Sequence, residues 1–124
     1  MARLLYSPID SKNGQTRLLE LLPGCSTTPI ECRLQHASLD NAPPYRALSY
    51  TWGTKGADLT ITVNDQIIGV FENLEAALRR LRREAKPRTL WIDAICINQD
   101  DIDERAEQIK LMRQIYENTT QVYI

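Results

Sequence analysis

The chain has no net positive charge, no paired-cysteine spacing, a single histidine and no long apolar run, and each absence removes a class of function. Its formal net charge is -1 and its sequence pI is about 5.8. No global positive field therefore draws it to nucleic acid or to anionic lipid. Three cysteines, Cys25, Cys32 and Cys96, without a C-x-x-C, and the lone His36 supply neither a disulfide framework nor a tetrahedral zinc site. No segment approaches the ~20 apolar residues of a membrane span, and the start turns polar too soon for a signal peptide. The reading is a cytoplasmic protein with no nucleic-acid and no membrane partner. Glycine (5) and proline (6) are also scarce, while 43% apolar and 25% charged residues are ordinary for a globular protein, which argues against disorder. At 124 residues the chain can bury a modest core.

What is present reads in order as short strands and two helices. Residues 4–9 and 16–22 are apolar runs on either side of Asn13-Gly14, a favoured type I′ pair, and predict a hairpin. Residues 30–37 alternate as a third strand, in which His36 is an ordinary strand residue. Pro43-Pro44 leads into a buried strand at residues 45–50, continued by Thr51, Trp52 and Gly53. Residues 59–63 and 66–71 predict a second hairpin about Asn64-Asp65. Asn73 is the expected cap of a helix that buries Leu74, Ala77, Leu78 and Leu81 and turns Arg79, Arg80, Arg82 and Arg83 to solvent.

Residues 89–92 predict a strand that continues, apolar, through Ile97. After a polar turn at residues 98–101, Asp101 and Glu104 form a D-x-x-E capping arrangement. The helix it opens is expected to bury Ile102, Ala106, Ile109, Met112, Ile115 and Tyr116, with Asn118 as a left-handed stop. Residues 120–124 begin another strand, a poor natural terminus, so the fold is expected to be C-terminally incomplete.

From residue 45 the alternation of strands and helices is that of an α/β fold, a mostly parallel sheet with flanking helices and an inserted β-hairpin. The expected organisation is an N-terminal β-hairpin extension at residues 1–44 and a domain at residues 45–124. In such sheets ligands sit outside the carboxyl ends of the strands. That rule brings Ser49, Tyr50, Trp52 and Gly53 toward Asp93, Cys96, Asn98 and Gln99. Each has a structural alternative: Glu104 as helix cap, Asp93 as a turn residue, Trp52 as packing, and Cys96, which has no base nearby in sequence, as a buried thiol. Arg105 and Gln108 flank the helix stripe and suit either ligand contact or joining the helix to the strand ends. The acids Asp100, Asp101, Asp103 and Glu104 lack the central glycine of a calcium loop, and no metal site is expected.

The blocks ALSYTWG at residues 47–53 and LWIDAICINQDDIDERAEQIKLMRQIYENTTQVYI at residues 90–124 resemble the fungal heterokaryon incompatibility (HET) domain, over residues 45–124. The resemblance implies a part in non-self recognition, innate immunity and programmed cell death in filamentous fungi. It also implies a fold similar to Toll/interleukin-1 receptor (TIR) domains, a TIR/flavodoxin-like sheet. TIR domains include enzymes that hydrolyse NAD, and cleavage of the N-ribosidic bond expels neutral nicotinamide, so one carboxylate and an aromatic platform suffice. Three functions follow from the resemblance. The first is a signalling module with a nucleotide-binding crevice, acting by self-association or with other HET/TIR-like and death-signalling proteins. The second is an NAD hydrolase with Asp93 and Glu104 as its carboxylates, Trp52 as its platform, and Ser49, Tyr50, Gly53, Cys96, Asn98, Gln99 and Arg105 around the ligand. The third is a degenerate, non-catalytic paralogue. In the TIR enzymes the catalytic glutamate follows the third core strand, so the 124-residue chain is expected to be inactive alone.

Overall fold

A computed structural model describes residues 4–48 and 59–123. The most local signals are met most closely. Asn64 and Asp65 take positive φ of 51° and 65°, the two-residue turn their types favour, and join strands β4 (Thr60–Val63) and β5 (Gln66–Gly69) in an antiparallel hairpin. The remaining elements are a 3-10 turn at Ser11–Asn13, β1 (Gln15–Leu21), β2 (Glu31–Ser38), β3 (Arg46–Leu48), α1 (Glu72–Leu81), β6 (Arg88–Ile92), α2 (Asp93–Cys96), α3 (Ile102–Asn118) and β7 (Gln121–Tyr123). The strands follow one another across the sheet in the order β5-β4-β2-β1-β6-β3-β7.

The fold is mixed α/β. β3 runs parallel to both β6 and β7, and β2 parallel to β4. Leu22 N–H donates to Glu31 O and Leu39 N–H to Gly14 O, opposed indices that belong to an antiparallel β1–β2 pair. The expected mostly parallel sheet is therefore a mixed one, with β1 and β2 among its interior strands.

The hairpin expected about Asn13-Gly14 does not form. Asn13 donates to the Asp10 carboxylate at 2.6 Å, which tightens residues 11–13 into the 3-10 turn, and Gly14 closes it at φ 82°. Residues 4–10 carry no strand.

Two compact units emerge. In one, which includes residues 20–33 and 59–88, Leu74, Ala77 and Leu78 of α1 are buried as expected. The helix starts at Glu72, ahead of Asn73, with Phe71 at the cap and two acids in its first turn, where they favour the helix dipole. Arg79 and Arg82 do more than face water. Arg79 donates to Ser26 O, and Arg82 to the carbonyls of Cys25, Thr28 and Pro29, pinning that loop to the helix.

The other unit includes residues 6–19, 34–48 and 89–123. Leu90, Trp91 and Ile92 of β6 are buried beside Ala47 and Leu48 of β3. β6 does not run on through Ile97. Asp93 Oδ1 accepts from Ala94 N–H at 2.8 Å, a local bond that competes with the strand ladder, and residues 93–96 turn into α2. Asn118 is the last residue of α3 rather than a left-handed stop, and Thr119 beyond it is extended at φ -72°. The buried side of α3 is the expected one only in its second half: Ile115 is buried and Met112 and Tyr116 are half-buried, but in the first half Glu104 and Gln108 point inward while Ile102, Ala106 and Ile109 are exposed.

Candidate functional site

β3, β6 and β7 end level with one another, Leu48 opposite both Ile92 and Tyr123. Parallel strands that end together leave a polar seam where the chain departs from the sheet, the place where ligands gather in such folds. After β6 that seam is α2 and the turn before α3. After β3 it would be Ser49, Tyr50, Trp52 and Gly53, which lie outside the described residues.

Arg17 sits at the centre of this region, on β1, fully buried. Its two terminal nitrogens donate to both oxygens of Glu104 at 2.7 and 2.8 Å, the bidentate fork that guanidinium and carboxylate favour. The same nitrogens donate to Cys96 O at 3.1 Å and Ser7 O at 2.7 Å. The Tyr6 ring covers the guanidinium with its centroid 4.6 Å away, a cation–π contact. Of the three guanidinium nitrogens of Arg17, Nε has no hydrogen-bond partner among the described residues.

Glu104 is buried too, and its Oε2 also accepts from Asn98 N–H at 2.6 Å. Its own N–H donates to Asp101 Oδ1 at 3.1 Å. Asp101 therefore caps α3 as expected, while the Glu104 side chain leaves the cap and turns inward. The result is a clamp: a single carboxylate ties β1, the exit from α2 and the first turn of α3 together. A second buried bridge lies one helical turn on. Gln108 Oε1 accepts from Thr16 Oγ1 at 2.6 Å, and its Nε2 donates to Ser11 Oγ and Gln15 O. Thr16 Oγ1 in turn accepts from Trp91 Nε1 at 3.1 Å, and the Trp91 ring meets Tyr116 edge-on.

The other candidates are placed as follows. Asp93 is half-buried, bonds the Ala94 amide, and its carbonyl accepts from Gln99 Nε2 at 2.9 Å. Asn98 is half-buried and its side chain accepts from Asp100 N–H. Gln99 and Arg105 are exposed. Cys96 is fully buried, accepts weakly from Ile92 N–H at 3.4 Å, and burial pushes its thiol up to about 12. It stays protonated at neutral pH and is no nucleophile there. Burial likewise pushes the Tyr6 phenol, bonded to Ile95 O at 2.7 Å, up to about 12.

A cleft of about 270 Å³ opens beside the clamp, lined by Asp10, Asp101, Asp103, Glu107 and the Arg17-bound Glu104, with Lys12. Five acids against one base make it unsuited to a phosphate. Among the described residues no group of three or more His, Cys, Asp or Glu could hold a metal ion. No described helix is long and apolar enough to cross a membrane.

Arg17, Thr16 and Ser11 were not singled out by the sequence reading. The available signal was Arg17 beside the apolar pair Leu18-Leu19 in β1, QTRLLEL, where burial of a charge demands a partner.

With this geometry in hand, comparison with known proteins is specific. Residues 45–124 match the family described as Heterokaryon incompatibility protein (HET). The chain is similar to heterokaryon incompatibility protein 6, OR allele, of Neurospora crassa, at 38% identity over 122 residues. That match covers 87% of this chain and 18% of the relative, so the chain spans about a fifth of the relative's length. No solved structure matches it.

Proposed function

Since the chain belongs to the heterokaryon incompatibility family, we propose that it serves non-self recognition as a signalling and interaction module of a cell-death response, with a nucleotide-binding crevice at the ends of β3 and β6. The observation that carries this reading over hydrolysis is the state of Glu104. Both its oxygens are held by Arg17 and one also by the Asn98 amide, so this carboxylate positions the turn at residues 98–101 and is not offered to a substrate.

The level ends of three parallel strands, with α3 linking β6 to β7, support reading the sheet as TIR/flavodoxin-like. In the crevice, Asp93 and Gln99 are the accessible groups suited to ribose hydroxyls, and Asn98 is fixed behind them by the Glu104 clamp. Cytosolic death-signalling proteins and further copies of the same domain are the partners this role needs.

Two measurements test the proposal. Purified chain incubated with NAD should release no nicotinamide; steady release that stops in a Glu104→Gln variant would overturn it in favour of catalysis by these residues. NAD or ADP-ribose should raise the melting temperature, and Asp93→Asn with Gln99→Ala should abolish the shift. Equal shifts in variant and parent would remove the crevice from the proposal.

A further inference from the structure

We infer that the outer face of α3 is a two-fold contact, through which one copy of this chain docks antiparallel on α3 of a second copy. The inference rests on the signalling reading and names the partner and the surface. Ile102 is 81% exposed and Ile109 55% exposed. At about 100° per residue both project opposite to the inward-facing Glu104, Gln108 and Ile115. Exposed Ala106 lies between them and is small enough for a second backbone to approach. Single exposed apolar residues are common on any surface. Two isoleucines seven residues apart, bridged by an alanine on one helix face, are a seam of the coiled-coil kind.

The charges around the seam select the occupant. Arg113 continues the same stripe and is exposed, so a parallel partner would stack Arg113 on its own copy. An antiparallel two-fold near Ala106 instead sets Ile102 against Ile109 of the second copy and carries Arg113 to that copy's acidic turn, Asp100 and Asp101. On one flank Asp103 then faces Lys110 of the second copy, and symmetry makes the pair twice. Lys110 is free to re-pair, because its 3.3 Å contact with Glu107 is an exposed surface pair worth little. Arg105, on the other flank near the axis, faces its own copy and limits affinity.

Size sets the strength. The seam covers about three helical turns, roughly 16 Å of helix, well short of the ~800 Å² per partner of stable dimers. The contact is therefore weak and concentration-dependent, and forms when domains are already held close. That behaviour suits a switch triggered by clustering.

Sedimentation velocity on the 124-residue chain, from roughly micromolar to roughly millimolar concentration, provides the test. The average mass should rise with concentration, and Ile109→Glu should remove the rise without lowering the melting temperature. Asp103→Lys and Lys110→Asp should each weaken association roughly tenfold, and the double swap should restore it, as expected for opposed charges. Arg105→Ala should tighten it. A chain that stays monomeric at the upper concentration, an Ile109→Glu variant that still associates, or a double swap no better than its parents would overturn the contact. The signalling reading is scored separately by cell death on expression of the same variants. Undiminished killing by a monomeric Ile109→Glu variant overturns the part of this contact in signalling and leaves that reading in place.

Discussion

Replacing Glu104 by alanine separates a structural clamp from a catalytic acid. Arg17 is 1% exposed and Glu104 8%, so the substitution leaves a guanidinium without its counter-charge where water cannot replace it. Removing one partner of a buried pair costs about 3–5 kcal/mol, and the Asn98 amide that loses its acceptor adds about 1 kcal/mol. At ~0.05–0.15 kcal/mol per residue a chain of this length has roughly 6–19 kcal/mol in total, so Glu104→Ala should remove from about a fifth to nearly all of that stability. Urea unfolding followed by tryptophan fluorescence, in parallel with thermal melts, measures the loss, which corresponds to about 10–20 °C in melting temperature. The paired variant Arg17→Met/Glu104→Leu should recover most of it, because apolar replacement of a whole buried pair is close to neutral. A loss under ~1 kcal/mol for Glu104→Ala is what an exposed pair gives. That result would refute the clamp and return Glu104 to the list of groups available for chemistry.

Three further outcomes follow from the geometry. Cys25 is exposed, its Sγ lies 3.2 Å from the hydroxyls of both Thr27 and Thr28, and those hydrogen bonds bring its thiol down to about 6. Alkylation with iodoacetamide, read by mass spectrometry, should modify this one thiol with a midpoint near pH 6, while buried Cys32 and Cys96 wait for unfolding; a midpoint at the ordinary value of a thiol would contradict the assignment. Burial pushes the Tyr45 phenol from 10.0 up to about 12. The neutral phenol is thus favoured in the fold, its contribution is complete below pH 10 and is lost as pH rises through about 12, at up to about 1.4 kcal/mol per pH unit. The stability difference between parent and Tyr45→Phe should shrink over that interval, and an unchanging difference would show the phenol to be solvated. Asp101→Ala removes the side-chain cap of α3 and should cost about 1 kcal/mol in urea titration, whereas Asp101→Asn should cost much less.

What the sequence disclosed and what it hid divide along the reach of the interactions. The Asn64-Asp65 turn and the Asp101 cap depend on residues within a few positions, and both form where the sequence places them. The Arg17–Glu104 pair joins positions 87 apart, and Gln108 meets Ser11 across 97. A charged residue in a strand reads as outward-facing until its partner is known. The same blindness explains the error on α3. Hydrophobic spacing gives a helix its period but not its phase, and the apolar positions Ile102, Ala106 and Ile109 offered an obvious stripe. The phase is set instead by polar side chains: Glu104 and Gln108, four residues apart, lock into Arg17, Thr16 and Ser11 and rotate the isoleucines outward.

This inversion also changes what the recognisable blocks mean. Trp91, Cys96, Glu104 and Gln108 fall within the stretch that carries the family resemblance. Trp91 and Gln108 bond Thr16, Glu104 bonds Arg17, and the Cys96 carbonyl accepts from Arg17. Both central partners precede residue 45, where the family match begins, so the matched segment builds this network only with β1 beside it. Loss of the β1 partner should therefore be as damaging as loss within the block. Arg17→Ala leaves the Glu104 carboxylate buried with only the Asn98 amide in place of three donors, a cost again of about 3–5 kcal/mol. Urea titration of Arg17→Ala beside Glu104→Ala checks this directly. Comparable losses support a network shared across the boundary, and a near-neutral Arg17→Ala would show that residues 45–124 hold their fold without it.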